Sequence, residues 1–234
     1  MKIDKRAAPT ARRIHKRGLM KKVHLLSTHK SDGIMQIEGR HEANGARALA
    51  LDPRVQYFRP QPMTIELNSG KIFKTKEALF EAFSGSGIKP KAYTPDFEVH
   101  LASKSVFLET KPSGLIRKHP EVLEFPEIFR AFGLELIIID ESGFPESYCQ
   151  NLKLLLLAVR HQLDEGLVSR MVDGSRVPIA FGDLLTRAGV KQDDLLAAIA
   201  QGNITFDIVS DILRPQTLVS SQAPTDGHLR RLPL

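Results

Sequence analysis

The sequence predicts an α/β fold, a mixed sheet flanked by helices with a small α-rich module after it. Three observations carry that expectation. Residues 93–101 alternate, with Phe97, Val99 and Leu101 on one face and Asp96, Glu98 and His100 on the other, the period of a strand. Leu136, Ile137, Ile138 and Ile139 form an unbroken apolar run of strand length. Residues 146–163 place Leu152, Leu155, Leu156 and Val159 at helical spacing, which suits a helix lying over a sheet.

Taken in order, the first 30 residues carry little apolar periodicity and read as an arm that is largely disordered without a partner. A helix is expected over residues 37–51, where Ala43, Ala46, Ala50 and Leu51 lie near helical spacing and Asp52-Pro53 stops it. Residues 55–58 and 63–67 read as strands, with Asn68-Ser69-Gly70 as the turn after them. A short helix over 75–83 is closed by a flexible Ser84-Gly85-Ser86-Gly87. Residues 93–101 and 106–111 pair as a hairpin across the turn 102–105, and Pro112-Ser113-Gly114 ends it. A helix over 120–132, a fully buried central strand over 134–140 and the long helix over 146–163 complete this part.

From residue 164 the character changes. Residues 166–178 read as a polar connector, 181–187 and 192–200 as two short helices broken at Gly189, and 202–207 as a turn into a short strand. Helix, helix and small strand suggest a winged-helix-like module. The expected organisation is a basic arm over 1–30, a catalytic domain over 31–163, the winged-helix-like domain over 164–219 and a flexible tail over 220–234.

The net charge of +6 is uneven: residues 1–30 hold ten Lys or Arg against Asp4 alone, so the remainder is acidic. Such an arm gains affinity for a polyanion by releasing counterions, or it serves only as a solvated tail. For contact with double-stranded DNA the candidates are Arg12, Arg13, Lys16, Arg17, Lys21 and Lys22. A single cysteine, Cys149, leaves no intramolecular disulfide and no cysteine-cluster zinc site, and fits a reducing cytoplasm. Cys149 lies in an apolar helical stretch and reads as a packing residue. No secretory signal and no apolar run of membrane length is visible, so no membrane partner is expected.

The chemistry lies in the hairpin. Asp96 sits in Thr94-Pro95-Asp96-Phe97 on one arm, and Glu109 and Lys111 sit in Leu108-Glu109-Thr110-Lys111 on the other. Side chains two apart share a strand face, so Glu109 and Lys111 project together while Leu108 and Thr110 face the other way. Two carboxylates and an ammonium on one surface can bind Mg²⁺, activate a water and meet a phosphate, the PD-(D/E)xK arrangement of metal-dependent nucleases. The bland alternative is an exposed hairpin with a surface ion pair.

A longer string surrounds the hairpin: Glu42, Leu49, Asp52-Pro53-x-Val55, Phe58 and Gln61-Pro62, then Tyr93-Thr94-Pro95-Asp96-Phe97, Glu109-Thr110-Lys111-Pro112 and Asn151-Leu152. This string resembles the TnsA-type endonuclease subunit of heteromeric transposases, over about residues 35–163 and more loosely beyond. The resemblance implies a restriction-endonuclease-like core that cuts the 5′ ends of a mobile element. It further implies a DDE transposase partner (TnsB-like) for the 3′ ends, an AAA+ ATPase regulator (TnsC-like), and work on DNA in a bacterial cytoplasm. No Gly-x4-Gly-Lys-Ser/Thr loop occurs, so ATP dependence would belong to a partner.

Carried across by position, Glu42 is the helix glutamate, Asp96 the hairpin aspartate, Lys111 the lysine, and Glu109 fills a slot where some members carry glutamine. The implied metal set is Glu42, Asp96, Glu109 and the Thr110 carbonyl, holding one or two Mg²⁺ with Mn²⁺ able to substitute. Lys111 would orient the water, lower its pKa or neutralise charge on the phosphorane. Glu38, four residues before Glu42, is the rival on the same expected helix face. Gln61 either bonds water or phosphate in the site or ends a strand, and Asn151 bonds a neighbouring loop. Two other function classes stay open: a stand-alone restriction-like or phage DNA-processing nuclease, and a non-catalytic DNA-binding assembly subunit.

Overall fold

The chain folds as a mixed α/β protein with a multi-strand mixed sheet flanked by helices; the computed structural model describes residues 4–12, 23–222 and 227–234. It divides into two units. The first holds the described residues up to Gly45, Val55–Ser142 and Pro233–Leu234; the second holds Ala46–Arg54 and the described residues of Gly143–Leu232. Among the described residues no helix is long and apolar enough to cross a membrane.

In the first unit β1 (Val23–Leu26) pairs antiparallel with β2 (Met35–Glu38), and α1 (Arg40–Leu51) starts just after. There follow β3 (Val55–Pro60), β4 (Thr64–Glu66), β5 (Ile72–Phe73), α2 (Lys76–Ala82), β6 (Ala92–Tyr93), β7 (Phe97–Leu101) and β8 (Ser105–Thr110). Then come α3 (Ser113–Lys118), α4 (Phe125–Ala131) and β9 (Leu136–Ile139). The main sheet runs β3-β7-β8-β9, antiparallel except for the parallel β8/β9 pair, and a second sheet runs β5-β4-β6.

The expected alternation builds the hairpin: Phe97 and Val99 of β7 are buried with Val106 and Leu108 of β8 and Phe58 of β3. Phe58 meets Phe97 edge-on at 6.0 Å. A core cluster joins Met63, Ile65 and Leu67 to Tyr93, Phe107, Phe125, Phe129 and Leu136. Tyr93 is wedged edge-on against Phe125 and Phe129, with centroids 4.8 and 5.7 Å away, so the residue just before the hairpin is fixed by core packing. At Gly70 the backbone turns at φ +71°, and a Cβ there would lie 2.5 Å from the Phe132 ring; the turn after β4 requires glycine twice over.

Several local expectations are corrected. Ile37 and Glu38 end a strand rather than start a helix, because Gly39 at φ +90° turns the chain between β2 and α1. The apolar run of β9 lies at the sheet edge with β8 as its neighbour, and of its four residues Leu136 alone is fully buried. Pro112 does not end the structure but precedes α3 directly, where a missing N–H costs nothing. The described parts of the arm are folded. Ala11 is buried, its N–H donates to the Gln61 carbonyl at 2.8 Å, and its carbonyl accepts from Lys76 N–H at 2.8 Å.

The second unit contains α5 (Glu146–Ala158), α6 (Glu165–Gly174), β10 (Ile179–Ala180), α7 (Phe181–Ala188), α8 (Gln192–Ala200) and β11 (Leu218–Val219). α5 packs along α8, and α6 against α7 and α8, while β10 and β11 pair antiparallel. The chain therefore divides after Ser142 instead of after residue 163: α5 belongs with the later helices. The expected polar connector over 166–178 is mostly α6, capped by the Asp164 carboxylate accepting from Leu167 N–H at 2.8 Å and buried through Met171. In the expected tail Leu229 and Leu232 are buried, and the Leu232 carbonyl accepts from Arg54.

Asn151 bonds a neighbouring loop, as expected from the sequence. Its amide donates to the Ile208 and Asp211 carbonyls at 2.8 and 2.7 Å and accepts from Leu213 N–H at 2.9 Å. Asn151→Ala is expected to cost about 2–3 kcal/mol, because it leaves buried backbone groups unsatisfied. Urea unfolding followed by circular dichroism measures this, and a loss below about 0.5 kcal/mol would mean the loop is satisfied without Asn151.

Candidate active site

The register of the hairpin assembles the site. Phe97 pairs with Leu108, so one step beyond the end of β7 Asp96 lies opposite Glu109. Asp96, Glu109, Thr110 and Lys111 line one cleft of about 250 Å³ together with Glu42, Tyr93, Thr94 and Leu115, and with Arg12 and Lys76. Glu42 reaches it from the first turn of α1. All four expected catalytic residues are thus brought to one cleft in the first unit.

Asp96 is held by β8. Its Oδ2 accepts from Thr110 N–H and from Thr110 Oγ1, both at 2.8 Å. This corrects the expected facing of Thr110, whose side chain turns toward Asp96 because Asp96 lies just outside the regular part of β7. From the other side Gln61 N–H donates to the Asp96 carbonyl at 2.7 Å. Gln61 is a non-glycine residue at φ +44°, and its buried side-chain amide makes no hydrogen bond. Backbone strain of this kind persists where the surroundings fix it, here between Ala11 and Asp96.

Glu109 is the electrostatically stressed group. Burial, and then the neighbouring Asp96 charge, push its carboxyl up to about 7 against the pull of Lys111. Lys111 Nζ donates to Glu109 Oε1 at 3.3 Å, as the strand spacing predicts. Glu109 Oε2 is buried with no hydrogen-bond partner. The Tyr93 hydroxyl points toward Glu109 without forming a hydrogen bond, and burial and the two carboxylates hold it well above its usual range.

These groups suit a hard cation. The donors are all oxygen, one of them is a buried orphan, and two carboxylates repel each other with no counter-charge between them. Among the described residues no three His, Cys, Asp or Glu side chains draw together as a ready-made cage. Mg²⁺ does not need one, since it keeps several waters and is commonly bound by one or two carboxylates. Asp96 and Glu109 are the pair able to hold it, with Glu42 on the same cleft.

The rivals fall elsewhere. Glu38 does not share a helix face with Glu42; it ends β2 and meets Arg12 Nη2 at 3.3 Å. Glu98 pairs with Arg59 and His100, and His100 Nδ1 lies 3.0 Å from Ser105 Oγ, so neither takes part in the cleft. Of the expected DNA-binding residues, Arg13, Lys16, Arg17, Lys21 and Lys22 lie outside the described residues. Arg12 lies in the cleft itself, which its place in a basic stretch did not signal; neither did the sequence signal Lys76 or Tyr93. Cys149 is buried, with its Sγ 3.3 Å from the Phe144 carbonyl, and acts as a packing residue.

No protein-family model matches the chain, and no curated protein sequence matches it.

Proposed function

We propose that the chain is a metal-dependent DNA endonuclease that hydrolyses phosphodiester bonds. The observation that carries the reading is the cleft itself: Asp96 and Glu109 face each other at the mouth of a hairpin, with Lys111 on Glu109 and Glu42 alongside. A restriction-endonuclease-like reading of the first unit is supported by a sheet whose antiparallel β3, β7 and β8 continue into a parallel β9, with a helix glutamate ahead of it.

A bound Mg²⁺ would polarise the phosphate oxygens and lower the pKa of a coordinated water. Within the chain, Asp96 and Glu109 hold the cation, with Glu42 and the Thr110 carbonyl completing the set, and Thr110 fixes the Asp96 carboxylate through two hydrogen bonds. Lys111 stands where it can orient the water or neutralise charge on the phosphate. Hydrolysis joins a water oxygen to phosphorus and breaks one P–O ester bond; the water gives up a proton and the leaving oxygen takes one.

Within this class the resemblance of the string from Glu42 to Leu152 supports a TnsA-type role: cleavage at the 5′ ends of a mobile element beside a DDE transposase and an AAA+ regulator. The helical second unit, with its small β10/β11 pair, is then the winged-helix-like docking part. The test is to incubate the protein and Mg²⁺ with DNA carrying element ends, with and without a DDE transposase. Partner-dependent 5′ cutting supports the transposon role. Cutting by the protein alone would assign a stand-alone nuclease, and no cutting in any mixture would leave a non-catalytic assembly subunit.

A further inference from the structure

Arg12 occupies a position that a mere electrostatic tether does not explain. The segment before it is tied down: the Asp4 carboxylate accepts from Ile34 N–H at 3.0 Å, and Ala11 bridges Gln61 and Lys76 by two backbone hydrogen bonds. These contacts deliver the next side chain, Arg12, into the cleft that holds Glu42, Asp96, Glu109 and Lys111. Its Nη2 meets Glu38 at 3.3 Å, whereas its Nε is buried with no hydrogen-bond partner. A buried donor left unsatisfied is costly, and a native structure retains one chiefly where a ligand supplies the acceptor.

The neighbouring Lys76 is the first residue of α2, lines the same cleft and is exposed. Its backbone N–H is the one bound by Ala11, so the two cations are placed by a single contact. A planar guanidinium presents paired donors that match two oxygens of one phosphate, and an ammonium beside it adds a point charge. The positive side continues past the cleft: Lys71, Lys74 and Lys89 are exposed and make no ion pair among the described residues. An extended polyanion fits that surface.

We propose that Arg12 and Lys76 form a phosphate-binding subsite, which holds the scissile phosphodiester by its non-bridging oxygens against the carboxylate side of the cleft. The proposal rests on the nuclease reading for its substrate, but the subsite's affinity for phosphate does not depend on that reading. The N-terminal segment then has a second role, because residues 4–12 supply part of the active site, beyond whatever DNA contact the basic residues after them make.

The experiment has two readouts on the full chain. Calorimetric titration of inorganic phosphate in metal-free buffer should show binding that Arg12→Ala weakens by about tenfold or more, the usual size for charged hydrogen bonds. Single-turnover cleavage of saturating DNA with Mg²⁺ should fall about a hundredfold in the same variant. Arg12→Lys should recover phosphate affinity in part but not the rate, because a point charge does not replace the fork; it also serves if Arg12→Ala fails to fold. Glu38→Gln, which removes the ion-pair partner of Arg12, should keep the rate within about twofold.

Wild-type phosphate affinity and rate in Arg12→Ala would overturn the proposal, as would full rate in Arg12→Lys. A Glu38→Gln variant as slow as Arg12→Ala would also overturn it, by assigning Arg12 to the support of β2. Phosphate binding that requires Arg12 in a protein that cuts no DNA would support the subsite while removing the nuclease reading.

Discussion

Replacing Asp96 by alanine, or Lys111 by alanine, is expected to lower single-turnover DNA cleavage by at least about a thousandfold. The two losses have different causes. Asp96 is a ligand candidate whose Oδ2 is already fixed by Thr110, so its removal takes away both a charge and the acceptor of two hydrogen bonds. Asp96→Ala should therefore also destabilise the fold by about 1–3 kcal/mol, whereas Asp96→Asn keeps an acceptor for Thr110 and should lose cleavage with less cost in stability. Lys111 is half-buried, and its removal leaves Glu109 with Asp96 but without its cation. That change keeps Glu109 protonated to higher pH and removes the positive charge beside the phosphate. Rapid-quench cleavage, with DNA affinity measured separately in Ca²⁺, separates chemistry from binding. A Lys111→Ala enzyme that cuts within tenfold of wild type would place the reaction elsewhere.

Legibility of this molecule followed the range of the interactions. The hairpin could be read because its determinants are local: a period of two puts Phe97 and Val99 inside, and short-range register puts Asp96 opposite Glu109. Lys111 and Glu109 needed only the strand spacing. Arg12 could not be read, since its entry into the cleft depends on Ala11 meeting Gln61 and Lys76, some 50 and 65 residues away, and nothing in a basic stretch announces such contacts. The same applies to β9. Four consecutive apolar residues fit a central strand as well as an edge strand, and only the sheet order tells them apart. α6 was obscured by Gly166, Ser169 and Gly174, although Leu167, Val168 and Met171 kept helical spacing and Asp164 supplied a cap. Glu38 and Glu42 looked like helix neighbours until Gly39 put a strand end between them.

Glu109→Gln is expected to reduce Mg²⁺ affinity by about a hundredfold and to change how stability responds to pH. The sign follows from a carboxyl raised from 4.5 to about 7 in the folded protein. Below pH 4.5 both folded and unfolded chains carry the proton, and Glu109 imposes no penalty. As pH rises from 4.5 toward 7 the unfolded chain releases its proton while the folded chain keeps it, so the native state binds more protons and stability falls. Above that window the folded protein holds a buried carboxylate beside Asp96, and the penalty is complete. Metal-free wild type should therefore lose stability on the order of 2 kcal/mol between pH 5 and pH 8 on account of this one group. Glu109→Gln should lack that loss and be the more stable protein at pH 8. Mg²⁺ favours the ionised form, so its stabilisation of wild type should grow with pH, and the variant should show little of it. Thermal unfolding at pH 5, 6, 7 and 8, in chelator and in Mg²⁺, measures all three effects. Parallel pH profiles for the two proteins would mean that Glu109 ionises at an ordinary pKa, and the electrostatic case for a cation between Asp96 and Glu109 would fail with it.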